Sequence, residues 1–348
     1  MPRPPRKLVF MVTVLVTGAG ALLGQGIIRS LRASSLDARI VAVDPSPLAV
    51  GLYWADVARL VPMAKDPSYL DSVEAVLEEE RPDALLVGTD TELAVFAEHQ
   101  ARLERTYGTK IVVSSQNVIG IADDKWRTVE FLRDNEFAYP DSCLPEEPGA
   151  LDALISRVGF PLIVKPRTGA RSVGVTRVPD RAALDQAVGE ADGLIVQECV
   201  GTAETEFTAG VLRFEGQPTM SIVMRRHLRD GNTYRAFVEP YPELNRWVRD
   251  VAEALDPYGP ANFQFMTTDD GPPKLFEINA RYSGTTPLRA QAGFNEVEIA
   301  LRHILNGEPL SPQTFEPLTI LRSWTETVIS PGELVEERPK ARKRRRRV

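Results

Sequence analysis

The sequence predicts an α/β domain at the N-terminus, followed by an α+β region in two lobes. Residues 11–116 alternate short apolar strands with helices, which is typical of a parallel sheet covered on both faces. Residues 117–200 contain short strands joined by a glycine-containing loop, and they predict a small unit with mostly antiparallel pairing. Residues 201–325 contain longer strands. A chain of 348 residues is long enough for these three units.

The first region begins with a β-branched, apolar run at 12–17, which favours a buried strand. A glycine-rich turn follows at 18–26, and residues 27–32 continue as a helix. The second strand is predicted at 40–43, and the dipeptide Asp44-Pro45 ends it because proline disfavours continuation. The remaining strands are predicted at 84–87 and 110–113, and the remaining helices at 69–80 and 92–104.

The second and third regions differ in the length of their strands. In the second region, helices are predicted at 124–134, 151–158 and 181–188, and strands at 161–165, 174–177 and 194–198. In the third region, strands are predicted at 206–214, 220–226, 234–237, 261–267 and 274–279, and helices at 244–255 and 297–305. These bounds follow hydrophobic periodicity and turn residues.

The composition is that of a soluble globular protein, with 43% hydrophobic and 26% charged residues. No run approaches the roughly 20 apolar residues that a membrane span needs, so we expect no membrane partner. Two cysteines, Cys143 and Cys199, form no disulfide framework and predict a reducing, cytoplasmic location. Three scattered histidines make a zinc site of His and Cys improbable.

The charge is unevenly distributed along the chain. The formal net charge is −7, although residues 338–347 hold eight basic side chains and no acidic one. The rest of the chain is therefore strongly acidic, which does not suggest nucleic-acid binding. We expect residues 331–348 to form a disordered, solvated basic tail.

The glycine-rich turn near the start permits one alternative function. Gly18, Gly20 and Gly24 follow a strand and open a helix, a context that can place a phosphate on helix N–H groups. Asp44 ends the second strand, where a dinucleotide fold keeps its ribose-binding acid. An NAD-linked oxidoreductase is therefore one hypothesis. The G-x-G-x-x-x-G spacing counts against it, because the dinucleotide fingerprint is tighter.

Two lysines point instead to binding of a triphosphate. Lys165 ends an apolar strand, so its ammonium group can leave the sheet at a fixed place. The loop after it contains Gly169, Ser172 and Gly174, and such a loop can offer backbone N–H groups to phosphates. Lys125 lies at the start of an earlier helix. Two lysines from different elements could neutralise a triphosphate from two sides.

A connector about thirty residues farther on could bind a nucleoside. An apolar strand runs into Glu198, and a new strand begins at Glu206. Backbone groups of the connector could meet the edge of adenine, and a carboxylate can accept hydrogen bonds from both ribose hydroxyls. Glu206 is preferred for the ribose, with Glu204 as its competitor.

A polar hairpin carries the most specific chemistry. In a strand, alternate residues share a face, so Glu277 and Asn279 point the same way, as do Asn262 and Gln264. If the hairpin is centred on Asp270-Gly271, Gln264 faces Glu277 and Asn262 faces Asn279. Arg281 continues the pattern beyond Asn279. The patch gathers oxygen donors, which suit magnesium.

Five further side chains are candidates for binding substrates. Arg226 and Arg235, with Arg225 beside them, could bind a carboxylate, and an exposed basic turn is the equal alternative. Glu92, near a helix start, could bind an amine or help close the site. Ser283 lies in a hydroxyl- and glycine-rich loop that could line a pocket.

Taken together, residues 12–310 resemble the ATP-grasp superfamily, and most closely its carbamoyl-phosphate-synthase-like branch. The order and spacing of the matching motifs are more specific than any one motif. The first region resembles the pre-ATP-grasp domain, a Rossmann-like parallel sheet, and the rest resembles the two-lobed ATP-grasp fold. The matching motifs are D-D-K at Lys125, I-V-K-P at Lys165, G-A-R-S-V-G-V at 169–175, V-Q-E at Glu198, E-F-T at Glu206, N-F-Q-F at Gln264 and F-E-I-N-A-R at Glu277.

The resemblance implies an ATP site between the two lobes. The lysines would bind the phosphates, the glycine loop would close over them, and the connector would hold adenine and ribose. Lys165 would also act in catalysis. The nucleotide-binding residues implied in this way are Lys125, Lys165, Gly169, Ser172, Gly174, Glu198, Val200 and Glu206.

The resemblance also implies that Gln264, Glu277 and Asn279 hold magnesium, with Mn²⁺ as an alternative ion. Arg281 would stabilise the transferring phosphoryl group. Two departures from the family pattern are visible. Arg171 stands where the loop often has a small residue, and Gln264 stands where many members have a carboxylate.

The implied function is an ATP-dependent ligase that converts a carboxylate into an acyl phosphate and passes the acyl group to an amine. We expect small-molecule substrates, no nucleic-acid partner, and a homodimer as the candidate assembly. A complete carbamoyl phosphate synthase is disfavoured, because the chain has a single ATP-grasp unit. An NAD-linked oxidoreductase and a nucleotide-binding protein without catalysis stay open as alternatives.

Overall fold

The structure is a computed structural model that describes residues 11–169, 173–189, 192–269 and 271–336. These residues form three sheets. Arg171, Ser172, Asp270 and most of the basic tail lie outside the described residues. No helix in the described ranges is long and apolar enough to cross a membrane.

The first sheet has five strands and is parallel, as predicted. Its strand order is β3-β2-β1-β4-β5. Helices cover it because its central strands are apolar on both faces, and Val14, Leu15 and Val16 are fully buried. The strands are β1 (Val12–Val16), β2 (Ala38–Asp44), β3 (Val57–Leu60), β4 (Ala84–Leu86) and β5 (Lys110–Val112), and the helices are α1 (Leu22–Arg32), α2 (Tyr69–Glu80) and α3 (Asp90–Tyr107).

The second sheet has four antiparallel strands in the order β6-β9-β7-β8, which confirms the predicted pairing. Two helices, α4 (Gln116–Asp123) and α5 (Lys125–Asp134), precede it. Leu154, Leu162 and Leu184 form part of its separate core. Its elements are β6 (Ser142–Cys143), α6 (Ala150–Val158), β7 (Leu162–Pro166), β8 (Thr176–Val178), α7 (Arg181–Val188) and β9 (Leu194–Glu198).

The third sheet has six antiparallel strands in the order β14-β13-β10-β11-β12-β15. The predicted register is confirmed, since Gln264 pairs with Glu277 and Asn262 with Asn279. Its elements are β10 (Glu206–Arg213), β11 (Met220–Arg229), β12 (Asn232–Val238), α8 (Pro242–Leu255), β13 (Gly259–Met266), β14 (Lys274–Asn279), α9 (Thr286–Gln291), α10 (Glu296–Asn306) and β15 (Leu318–Leu321). Sequence reasoning did not predict β3, β6, β15, α4 or α9.

Helix α1 joins the first sheet to the third. One apolar core holds Ile27 and Ile28 of α1 together with Tyr282, Val297 and Leu301. A Cβ atom on Gly26 would lie only 3.0 Å from Pro287 Cδ, so α1 and α9 approach closely. This contact places the glycine-rich turn beside the polar hairpin.

Candidate active site

Two neighbouring cavities contain most of the predicted site residues. The first, of about 420 Å³, is here called the lysine cavity. The second, of about 370 Å³, is here called the arginine cavity. Glu277 lines both of them. The lysine cavity is lined by Lys125, Lys165, Gly169, Glu198, Val200 and Glu206, and the arginine cavity by Gly20–Leu23, Asp90, Arg226, Gln264, Arg281, Ser283 and Arg322.

Lys165 projects from β7 into the lysine cavity and is 6% exposed. Its ammonium nitrogen lies 5.5 Å from the ring centroid of Phe276 on β14. The pKa of Lys165 is lowered to about 8, mainly by burial; Glu277 opposes this shift and the nearby Lys125 adds to it. The site therefore holds a cation without full compensation, a state that an anionic ligand would stabilise.

Lys125 reaches the same cavity from the first turn of α5. Asp124 caps this helix by accepting a hydrogen bond from the Trp126 backbone N–H at 2.8 Å. The Lys125 ammonium group donates to the backbone oxygens of Arg167 at 3.2 Å and Gly169 at 3.0 Å. Burial lowers the pKa of Lys125, with Glu277 opposing the shift. The helix start and the glycine loop are thus tied together.

The described residues of the glycine loop contribute Gly169, Val173 and Val175 to the lining of the lysine cavity. Gly169 has a φ of 108°, which disfavours any side chain there. Gly174 has a φ of 75°, and a Cβ atom on it would come within 2.9 Å of Pro166. Val173, between them, is 73% exposed and also lines the cavity. An exposed apolar side chain over a cavity suits a segment that covers a ligand.

The connector after β9 forms one wall of the lysine cavity. The Glu198 carboxylate accepts a hydrogen bond from Lys274 at 2.6 Å, so its charge is already matched. Glu206 is held by Arg226 at 2.6 Å and faces the cavity. Glu204 is 70% exposed and pairs with Arg225. This geometry favours Glu206 over Glu204 at the cavity wall.

The polar hairpin stands at the border of the two cavities. Glu277 accepts hydrogen bonds from the Gln264 amide at 3.1 Å and the Asn279 amide at 2.9 Å, both on one oxygen. The Gln264 oxygen accepts from Arg226 at 2.6 Å, and the Asn279 oxygen from Arg281 at 2.7 Å. The described residues hold no cluster of three acidic, His or Cys side chains able to bind a metal. Among Gln264, Glu277 and Asn279, Glu277 is the one carboxylate.

Arg281 is fixed by a residue that sequence reasoning missed. Its Nε donates to Asp90 of α3 at 2.7 Å, across 191 positions of sequence. Arg281 is 9% exposed, and its guanidinium lines the arginine cavity. Asp90 follows a strand of the first sheet, the usual place for site residues in a parallel sheet.

A buried network supports the floor of the arginine cavity. Arg289 of α9 and Glu296 of α10 are fully buried and pair at 2.6 Å. Arg289 also donates to Asn262 at 3.1 Å, to Thr285 at 2.6 Å and to Ser283 at 3.0 Å. Ser283 lines the arginine cavity, and its hydroxyl oxygen accepts the hydrogen bond from Arg289.

Two predicted substrate residues are placed elsewhere, and both predictions are corrected. Glu92 is buried inside the first domain, where it accepts hydrogen bonds from Thr17 at 2.7 Å, Tyr69 at 2.5 Å and Thr89 at 2.9 Å. Burial raises its pKa, while the hydroxyl donors oppose the shift. Arg235 is exposed and pairs across the sheet with His227, on the face opposite Arg226. Neither residue lines the two cavities.

The glycine-rich turn contributes to the site in another way than a dinucleotide fold would. The Asp44 carboxylate accepts the backbone N–H groups of Gly20 at 2.7 Å and Ser46 at 2.9 Å. It therefore holds the turn itself. Gly24 packs so tightly that a Cβ atom would lie 2.2 Å from the Gly18 oxygen. The turn presents its backbone to the arginine cavity.

Three family descriptions match successive parts of the chain. Residues 14–112 match "PylC-like, N-terminal domain". Residues 122–236 match "RimK-like ATP-grasp domain". Residues 190–326 match "ATP-grasp in the biosynthetic pathway with Ter operon".

Two curated relatives and one solved structure are similar to the chain. D-alanine–D-alanine ligase B of Chromobacterium violaceum is 28% identical over 49% of this chain and 63% of its own length. The carbamoyl phosphate synthase large chain of Halobacterium salinarum is 24% identical over 86% of this chain and 31% of its own. The chain thus spans less than two thirds of either relative. N5-carboxyaminoimidazole synthetase of Staphylococcus aureus, solved with ADP, shares the fold with a TM-score of 0.71 and 16% identity, over 90% of this chain and 83% of its own.

Proposed function

This chain belongs to the ATP-grasp superfamily, and on that premise we propose that it is an ATP-dependent ligase. One observation carries the proposal. Lys125, Lys165 and Glu277 come from three separate segments and line one cavity, and Glu277 also lines the next. The first cavity would take ATP and the second the molecules that react with it.

In the proposed reaction, a carboxylate oxygen of the substrate attacks the γ-phosphorus of ATP. The bond from that phosphorus to the β-phosphate oxygen breaks, which yields an acyl phosphate and ADP. An amine then attacks the acyl carbon, phosphate leaves, and the amine nitrogen loses a proton. Both partners of the first step are anions, so the enzyme must mainly supply positive charge and alignment.

The chain's own cations answer that need. In this proposal Lys125 and Lys165 bind the phosphates; burial lowers the pKa of both lysines, and a bound anion would oppose that shift. Arg281 is held by Asp90 and Asn279 at the wall of the second cavity, where it would stabilise the transferring phosphoryl group. Glu206 would bind the ribose, and the connector at Glu198 and Val200 the adenine.

The residues fit a magnesium ion that is held mostly by phosphate and water oxygens. Glu277, Gln264 and Asn279 share one patch and would hold it, with Mn²⁺ as an alternative ion. When bound, the ion would neutralise phosphate charge. Both amide hydrogen bonds to the Glu277 carboxylate end on Oε1, so neither of them involves Oε2.

The proposed intermediate must be kept from water, because an acyl phosphate hydrolyses. The glycine loop around Gly169 and Gly174 would close over the lysine cavity. We also propose units at 11–116, 117–200 and 201–325, two small-molecule substrates, and a homodimer, which sedimentation of the purified protein would test.

The test is a comparison of Glu277→Gln with Glu215→Gln, an exposed control. ADP release would be measured while carboxylate and amine mixtures are screened with MgATP. We expect Glu277→Gln to lower the rate by at least about 10²-fold, since one charged group at the transferring phosphate is lost. The control should match the parent, and both should stay folded. ADP release at the parent rate from Glu277→Gln would sink the site assignment.

Thermal stability separates the alternatives. MgATP should raise the melting temperature, and NAD should not. Stabilisation by NAD alone would favour an oxidoreductase, and MgATP binding without turnover on any pair would favour a non-catalytic nucleotide-binding protein.

A further inference from the structure

The arginine cavity contains three arginines, and two of them are already matched by acidic side chains. Arg226 pairs with Glu206 at 2.6 Å, and Arg281 pairs with Asp90 at 2.7 Å. The third, Arg322, follows β15 near the C-terminal end of the described chain. Its guanidinium donates to the backbone oxygen of Gly284, and no acidic partner is found for it among residues 11–169, 173–189, 192–269 and 271–336.

The described groups around Arg322 do not compensate its positive charge. Burial lowers its pKa, and the neighbouring Arg29 lowers it further. The acidic residues that line the cavity are Asp90, which pairs with Arg281, and Glu277, which lies at the proposed phosphoryl-transfer point. A half-buried guanidinium matched only by a carbonyl is costly, and a ligand anion would compensate it.

The position of Arg322 is fixed by the sheet. The Arg322 backbone N–H donates to Tyr234 O at 3.0 Å, which continues the pairing of β15 with β12. The same side chain is tethered to Gly284, next to Ser283 in the cavity wall. Such anchoring makes Arg322 a fixed recognition point at the wall of the cavity.

We propose that Arg322 binds an anionic group, a carboxylate or a phosphate, which one of the two substrates carries in addition to the groups that react. The inference rests on the proposed ligase function. It defines the substrate class as compact, since the cavity holds about 370 Å³, and doubly functional. A dicarboxylate, an amino acid serving as the amine, or a phosphorylated amine each fits this description.

The test uses substrates that differ only in the additional anion. Active pairs from the screen would be remeasured with glycine against glycinamide, succinate against succinamate, and phosphoserine against serine. We expect kcat/KM to be at least about 10-fold higher for the anionic member of one pair, because a charge-assisted hydrogen bond is worth roughly that factor. The preferred member also distinguishes carboxylate from phosphate.

Variants then assign the preference to a residue. Arg322→Gln should remove it by raising KM about 10- to 100-fold for the anionic substrate, with little change for the neutral analogue. Arg322→Lys should keep part of it. The matched control is Arg235→Gln, an exposed arginine on the neighbouring strand, which should behave like the parent.

The outcomes separate the inference from the function. Stabilisation by MgATP should be the same in Arg322→Gln and the parent, which shows that the variant is folded. ADP release without preference for the anion, or equal losses for both analogues in Arg322→Gln, overturns the inference and leaves the ligase intact. No ADP release with any pair defeats the ligase and the inference together.

Discussion

The two cavities neutralise their cations in different ways. In the lysine cavity, neither Lys125 nor Lys165 forms an ion pair within the described residues, and burial lowers both pKa values although Glu277 opposes the shift. In the arginine cavity, Arg226 and Arg281 each have an acidic partner within hydrogen-bond distance. The first cavity is therefore short of negative charge, as a polyanion site should be, and the second is nearly balanced apart from Arg322.

This difference matches the different net charges of the ligands that we propose for the two cavities. A nucleoside triphosphate brings several negative charges, so its binding would compensate the positive charge of the two lysines. A small substrate brings one or two charges, so most cations around it need partners from the chain. In the proposed reaction, the paired arginines would form the walls of the substrate site, and the unpaired Arg322 would recognise the additional anion.

The largest expected effect concerns the buried pair of Arg289 and Glu296 beneath the arginine cavity. Arg289→Met would leave Glu296 fully buried without its cation. We expect a loss of about 3–5 kcal/mol in the free energy of unfolding, measured with urea. The double variant Arg289→Met, Glu296→Leu should recover much of this loss, because both charges are then gone.

A matched control lies on the next helix. Arg302 pairs with Glu298 at 3.0 Å, but its side chain is 29% exposed. Arg302→Met should cost only about 0–1 kcal/mol, since solvent screens the pair. Equal losses for Arg302→Met and Arg289→Met would contradict the view that burial makes the floor pair essential.

The hairpin shows what the sequence could predict. Strand pleating makes alternate residues share a face, so the pairs Gln264–Glu277 and Asn262–Asn279 followed from the pattern alone, and the structure confirms them. Alternation of strands and helices likewise predicted the parallel sheet. Both results depend on local periodicity, which a single sequence displays directly.

The misplaced and missed residues depend on directions that periodicity does not fix. Asp90 and Glu92 are two positions apart at a helix start, so they point to different sides, and the sequence does not say which side meets the cavity. A bulge between His227 and Leu228 shifts the register near Arg235. Arg322 reaches the site only because β15 joins the edge of the sheet.

The second expected effect concerns the lysine cavity, whose two lysines have no ion-pair partner in the described residues. Lys165→Met should lower kcat/KM for ATP by about 10²–10³-fold, because one preorganised charge on the phosphates is lost. Lys110→Met, on the exposed first residue of β5, is the control and should match the parent. A loss below about threefold in Lys165→Met would show that the lysine cavity is not the phosphate site.

The pH dependence follows from the same lysine. With its pKa near 8, Lys165 loses its proton as the pH rises through that value, so affinity for MgATP should fall between about pH 8 and 9.5. The folded state then binds fewer protons than the unfolded state between pH 8 and 10.5, so stability without nucleotide should rise over that range. Lys165→Arg keeps its charge and should remove the fall in affinity; a fall that persists in this variant would assign it to another group.

The smallest expected effect tests the correction at Glu92. Glutamine offers one acceptor oxygen in place of two, and its amide N–H groups would face hydroxyls that now donate to the carboxylate, from Thr17, Tyr69 and Thr89. Glu92→Gln should therefore cost about 1–3 kcal/mol in the free energy of unfolding. The KM values for both substrates should not change, because Glu92 is buried inside the first domain and lines neither cavity. An increase in KM for the amine at unchanged stability would return Glu92 to the substrate site and remove the distinction drawn between it and Asp90.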